Sequence, residues 1–124
     1  MAINVISNRK NTSAVFHFNA SGTLVVAGNT AVSNVAIGDE VLTGAYITQA
    51  VWGCDGTGHI QVKRGSTLVA VYDSTGQQEY AGTGMPITVG ANSNITVDFV
   101  GSANSYLLIE VQKIGNFTSE YFQN

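Results

Sequence analysis

One cysteine, one proline and thirteen Asp, Glu, Lys and Arg residues in 124 positions set the first limits on this chain. A lone Cys54 allows no intrachain disulfide, and a disulfide framework of the small secreted type is excluded. Charged residues make up 10% of the chain, against about 25% in ordinary soluble domains. The five basic residues, Arg9, Lys10, Lys63, Arg64 and Lys113, form no stripe, and the net charge is −3. Both facts argue against nucleic acid as a partner, because phosphate binding needs clustered Lys and Arg. No apolar run approaches the ~20 residues of a membrane helix, so no membrane partner is expected. "MAINVISNRK" lacks the basic stretch and apolar run of a secretory signal, and the chain reads as a soluble product made inside the cell. The Asn-x-Ser/Thr sites at Asn11, Asn19, Asn94 and Asn116 are therefore not read as glycosylated.

Helical periodicity is also missing. What replaces it is alternation. Ala14, Phe16 and Phe18 share one face of their segment, with Val15 and His17 opposite. Ile95, Val97 and Phe99 repeat the pattern, as do Leu107, Ile109 and Val111, with Glu110 and Gln112 on the other side. A period of two marks half-buried strands. About eight are expected, near 13–19, 22–27, 30–36, 41–52, 58–64, 67–73, 86–90 and 94–100, with a last one near 105–114. Short Gly, Asn, Asp and Ser turns between them indicate an all-β sandwich or barrel. Residues 1–124 are read as one domain, with 1–10 an N-terminal arm and 115–124 a C-terminal tail. The segment 73–85 is the longest expected loop.

"WGCDGTGHIQVKRGSTLVAVYDSTG" (52–76) places Cys54, Asp55, His59 and Asp73 near one another. A hairpin accounts for the middle of it. With Arg64 and Gly65 as the central turn residues, Ile60 opposes Val69 and Val62 opposes Thr67. Ile60, Val62, Val69 and Val71 then gather on one buried face. Tetrahedral zinc wants three or four N or S ligands, and the stretch offers Cys54 and His59. A Cys–His nucleophile would need an orienting third group. "DSTG" is close to the Asp-Thr-Gly loop of aspartic proteases, but one extra residue separates Asp73 from Gly76. It is read as an Asp-initiated turn. No enzyme activity, metal or cofactor is expected. Trp52 and Tyr80 are candidates for glycan contact from exposed loops. The simpler reading packs Trp52 on the core rim with its N–H bonded.

"NVISNRKNTSAVFHFNASGTLVVAGN", "GDEVLTGAYITQAVWG" and "VKRGSTLVAVYDSTGQQEYAGTGMPI" resemble a group of small virion structural proteins of marine tailed bacteriophages, including cyanophages. The resemblance covers about residues 3–113. It implies a jelly-roll-like antiparallel β-sandwich on the capsid surface, a decoration or cement protein assembled in the host bacterial cytoplasm. It implies the major capsid protein and further copies of the chain as partners, with a homotrimer expected, and no catalytic residues. A carbohydrate-binding module on a tail or host-recognition appendage is the alternative.

Partner contact is expected at the two terminal segments. Ile3, Val5 and Ile6 lie beside Arg9 and Lys10 in the arm, and Phe117, Tyr121 and Phe122 lie in the tail. Exposed apolar groups need cover. Either they reach neighbouring copies, or they fold back over their own sheet edges.

Overall fold

In the computed structural model, the structure describes residues 2–80, 92–101 and 104–115. These build nine strands: β1 Ile3–Asn8, β2 Ser13–Phe18, β3 Gly22–Leu24, β4 Leu42–Gly53, β5 His59–Arg64, β6 Thr67–Asp73, β7 Thr75–Glu79, β8 Ile95–Val100 and β9 Tyr106–Gly115. They form two antiparallel sheets. The larger has the order β1-β2-β9-β4-β7, the smaller β3-β8-β5-β6. From β2 onward the chain enters a given sheet, leaves it and returns, so most neighbours in space are distant in sequence.

Alternation explains the core. Ala14, Phe16 and Phe18 of β2 and Leu107, Ile109 and Val111 of β9 turn one face of the larger sheet inward. Ile60 and Val62 of β5 and Ile95 and Val97 of β8 meet them from the smaller sheet. Phe99 packs against this cluster while staying partly exposed.

Five expectations change. The first ten residues are not an arm outside the sheets: Ile3–Asn8 is an edge strand, paired with β2 from Ile3↔Phe18 to Asn8↔Ala14. The expected strand at 30–36 is a loop. The Ser33 hydroxyl accepts from the Val35 and Ala36 amides and donates to the Val26 carbonyl, while Asn34 Oδ1 accepts from Val25. These local bonds replace a ladder, and Val26 and Val35 are buried without one. Residues 75–79, read as part of a loop, form β7 along β4. The strand expected at 86–90 lies outside the described residues.

The fourth change is the hairpin register. Arg64 pairs with Thr67, so the turn residues are Gly65 and Ser66, and a bulge follows between Val62 and Lys63. Ile60 therefore faces Tyr72, and Val62 faces Ala70. Tyr72 is buried, Val69 is only partly covered, and Val71 is 53% exposed. The cause is Arg64. Its side chain is buried and donates to the carbonyls of Ala45 and Ser93, so it belongs to the strand and not the turn. Gly65, at φ +62°, opens the turn one place later.

Asp73 starts no β-turn either. Ser74 alone separates β6 from β7, at φ +57°, and there the chain crosses from the smaller sheet to the larger. Its carbonyl accepts from the Cys54 amide, which holds the corner.

Candidate functional site

The long β4–β9 pair has two ends, and each carries its own chemistry. At the Trp52–Leu107 end, Trp52 faces between the sheets and its ring stacks on Tyr72, centroids 4.2 Å apart at 20°. Its Nε1–H donates to the Asp73 carbonyl at 2.9 Å. The Tyr72 hydroxyl lies 2.8 Å from that of Tyr80. Burial and this bond push the Tyr72 phenol well above its usual range, so it stays protonated. A Cβ at Gly76 would lie 2.8 Å from the Trp52 ring, and one at Gly53 would lie 2.6 Å from that of Tyr106. Only glycine leaves room for these rings.

At the other end, Lys113 and Glu40 are buried together. Lys113 Nζ donates to both Glu40 oxygens, at 2.9 and 3.1 Å, and to Asn8 Oδ1 at 2.6 Å. The Glu40 carboxylate also accepts the Asn11 and Ile37 amides. Burial alone would raise its pKa. The Lys113 ammonium and the two amides outweigh that and hold it below the ordinary carboxylate range. Arg64 is buried at this end too, bonded to Ala45, whose pairing partner is Lys113. Thus β1, β4, β5, β9 and the loop before β4 are fastened by hydrogen-bonded charges.

Sequence reasoning missed this cluster. A signal for half of it exists: Lys113 continues the inward phase of Leu107, Ile109 and Val111, and Arg64 continues that of Ile60 and Val62. A charge in an inward phase needs a partner. Glu40 comes from a loop and has no such phase.

The residues of 52–76 that suggested chemistry do not assemble. Cys54 is half-buried, its sulfur 3.6 Å from the Tyr72 carbonyl oxygen. Asp55 binds Asn104 at the loop. His59 and Asp73 are paired across the strands, beside Gln61, and line an open dish of about 310 Å³ with Gly56, Gly58 and Val71. Among the described residues, no three His, Cys, Asp or Glu side chains are placed to share a metal ion.

Compared with protein-family models, curated proteins and solved structures, the chain shows no match. Its surface is therefore read from its own geometry.

Of the residues expected to meet partners, Ile3 packs against the core, while Val5 and Ile6 are 58% and 59% exposed on β1. No described strand pairs with the free side of β1. Beside it, between β1 and the three-residue β3, lies a groove of about 340 Å³ lined by Ile3, Val5, Phe16 and Leu24. Arg9 begins the turn after β1, its amide bonded to Ser13. Lys10 instead pairs with Asp39 at 2.7 Å on the surface. Trp52 and Tyr80 belong to the aromatic rim and are joined through Tyr72. Phe117, Tyr121 and Phe122 lie outside the described residues.

The outer face of the smaller sheet carries a second set of apolar groups. Leu68 and Val71 of β6 and Val100 of β8 are exposed there beside Lys63 and Asp98, whose charged atoms are 3.8 Å apart. Two of the five basic residues, Arg64 and Lys113, are spent inside the molecule.

Proposed function

We propose that this chain is a bacteriophage virion structural protein, a capsid decoration protein whose copies bind the major capsid lattice and stabilise the head. The observation that carries the reading is the strand order. The sheets have the orders β1-β2-β9-β4-β7 and β3-β8-β5-β6, and we read β2-β9-β4-β7 over β3-β8-β5-β6 as the double Greek key of a jelly roll with β1 added at one edge. That architecture recurs in capsid and lectin domains. The surface supports the same reading. It carries few charges and scattered apolar groups, suited to many weak contacts repeated over a lattice. The assembling unit is a homotrimer, formed in the host bacterial cytoplasm and displayed on the capsid surface. Co-sedimentation with empty heads tests this: binding that saturates in proportion to lattice sites is expected, and no binding at any ratio overturns it.

The dish beside His59, Gln61 and Asp73 favours a second reading, a lectin-like module on a tail or host-recognition appendage. Its polar groups could hold a sugar hydroxyl. The aromatic platform that such sites use is otherwise engaged here, because Trp52 stacks on Tyr72 and its N–H is bonded. Glycan-array binding abolished by Asp73→Ala, with no binding to heads, would favour the lectin.

A further inference from the structure

Three side chains at the Lys113 end hold a geometry that an ion pair alone does not require. Lys113 Nζ lies 2.6 Å from Asn8 Oδ1 and 2.9 Å from Glu40 Oε1. The side chains of Lys113 and Glu40 are fully buried. The Asn8 amide is fixed from its other side, where Nδ2 donates to the carbonyl of buried Val35 at 3.0 Å. That bond turns Oδ1 towards the lysine. The carbonyl bond adds about 1.2 Å to the 2.6 Å contact, so Nζ is at most about 3.8 Å from Asn8 Cγ. Atoms about 3–3.5 Å apart are placed to react. An amine, a carboxamide carbon and a carboxylate thus meet at one point.

The fold explains the meeting. Asn8 pairs with Ala14 of β2, Ala14 pairs with Val111 of β9, and Lys113 follows Val111 on the same inward face. Asn8 and Lys113 therefore reach towards each other across one intervening strand. The residue of that strand beside them is alanine, whose methyl leaves room for the lysine stem. Glu40 comes from the loop before β4, where the Asn11 and Ile37 amides hold its carboxylate.

We propose that Lys113 and Asn8 join in an isopeptide bond, with Glu40 moving the protons, so that the chain links β1 covalently to β9. The step starts with a proton passing from Nζ to a Glu40 oxygen. In a buried site the neutral amine and acid lie nearer in energy to the ion pair than they do in water. Burial pulls Glu40 that way, against its hydrogen bonds. The neutral amine attacks Cγ, and the C–N bond forms as the carbonyl π electrons move to Oδ1. Glu40 gives its proton to Nδ2 and takes a second one from Nζ. The carbonyl reforms, the Cγ–Nδ2 bond breaks, and Nδ2 leaves as ammonia. Nζ keeps one hydrogen as the amide N–H, and the ammonia carries the remaining proton of Glu40 away as ammonium. Nothing is oxidised or reduced. The reaction happens once per chain, so it need not be fast. The link closes a loop across 105 positions, which restricts the unfolded chain. Until it forms, Lys113 and Glu40 remain the ion pair described above, and stabilities assigned to that pair belong to the unlinked chain. This inference is independent of the proposed function.

The test is the mass of the full-length protein, folded and kept at neutral pH for days. Allowing for the initiator methionine, the chain should weigh one ammonia less than its sequence. A succinimide would lose the same ammonia, so protease peptides decide between them: a branched peptide joining Asn8 to Lys113 is expected. Lys113→Arg and Asn8→Ala should keep their full mass, and Asn8→Asp should lose one water instead. Glu40→Gln should link at least about 100-fold more slowly while its circular dichroism matches that of the parent. Full mass in the folded parent chain overturns the proposal, as does a lost ammonia without the branched peptide. A Glu40→Gln chain that links as fast as the parent overturns it too.

Discussion

The two ends of this sandwich solve one problem by different means. Each must close the gap where two sheets stop facing each other. The end at Trp52 closes with rings: Trp52 on Tyr72, Tyr72 bonded to Tyr80, and Gly76 leaving room for the Trp52 ring. The end at Lys113 closes with buried charge, satisfied by amides, an asparagine and an ion pair. Rings tolerate loss, because a smaller ring still excludes water. Buried charges do not, since removing one partner leaves the other unpaired in a medium that solvates it poorly. The difference teaches where this fold should be brittle.

The largest expected effect follows. Lys113→Met should cost about 3–5 kcal/mol, because Glu40 would be left buried without its cation. Replacing both partners, Glu40→Leu with Lys113→Met, should recover most of that loss. Urea unfolding midpoints of the two variants check this, and equal destabilisation by both would remove the distinction between the ends. A core substitution midway between them, Ile109→Ala, should cost about 2–5 kcal/mol and gives the scale for both.

Acid should act on one end only. Glu40 titrates below its ordinary value of 4.5 in the folded chain. A depressed carboxylate contributes stability that is complete above its unfolded pKa and disappears as pH falls through the folded one. Thermal midpoints should therefore drop on acidification below about 4.5. Glu40→Gln should lower stability at neutral pH and flatten that drop. An acid profile unchanged by Glu40→Gln would show that other carboxylates govern it.

The ring end should yield smaller numbers. Trp52→Phe loses the bond to the Asp73 carbonyl and part of the stack on Tyr72, and about 1–2 kcal/mol is expected. Tyr72→Phe removes one hydroxyl whose partner, on half-buried Tyr80, can turn to water. It should cost about 1 kcal/mol or less. Denaturant melts followed by far-ultraviolet circular dichroism measure both. A Tyr72→Phe loss as large as that of Lys113→Met would sink the contrast.

The same contrast explains what the sequence made legible. Alternation in β2, β8 and β9 reports burial directly, because successive side chains must face opposite ways. The bonded N–H of Trp52 was also readable, since a ring at a core rim needs a partner for its one donor. Loop-borne contacts have no such period. Glu40 finds Lys113 across 73 positions, and nothing local announces it. "TGQQE" carries no apolar residue, yet β7 forms because β4 offers it an edge beside Trp52. "TAVSNVA" looks like a strand by residue type, but Ser33 and Asn34 bond back to the chain and bend it away. At the hairpin, reading Arg64 as a turn residue misplaced every pair, because the burial of that side chain is decided by Ala45 and Ser93, far away in sequence.

One feature of the sheet order bears on how the protein is made. β9 lies between β2 and β4, at the centre of the larger sheet, and it is the last strand of the described chain. While the ribosome is still adding residues, β1 and β2 can meet, but the row of amides that will receive β9 stays open on β2 and on β4. Contacts this distant in sequence form slowly, and strand edges left waiting attract other chains. Yield should thus depend on how quickly β9 follows β4 out of the ribosome, and slow codons within Tyr106–Gly115 should be more harmful than anywhere earlier.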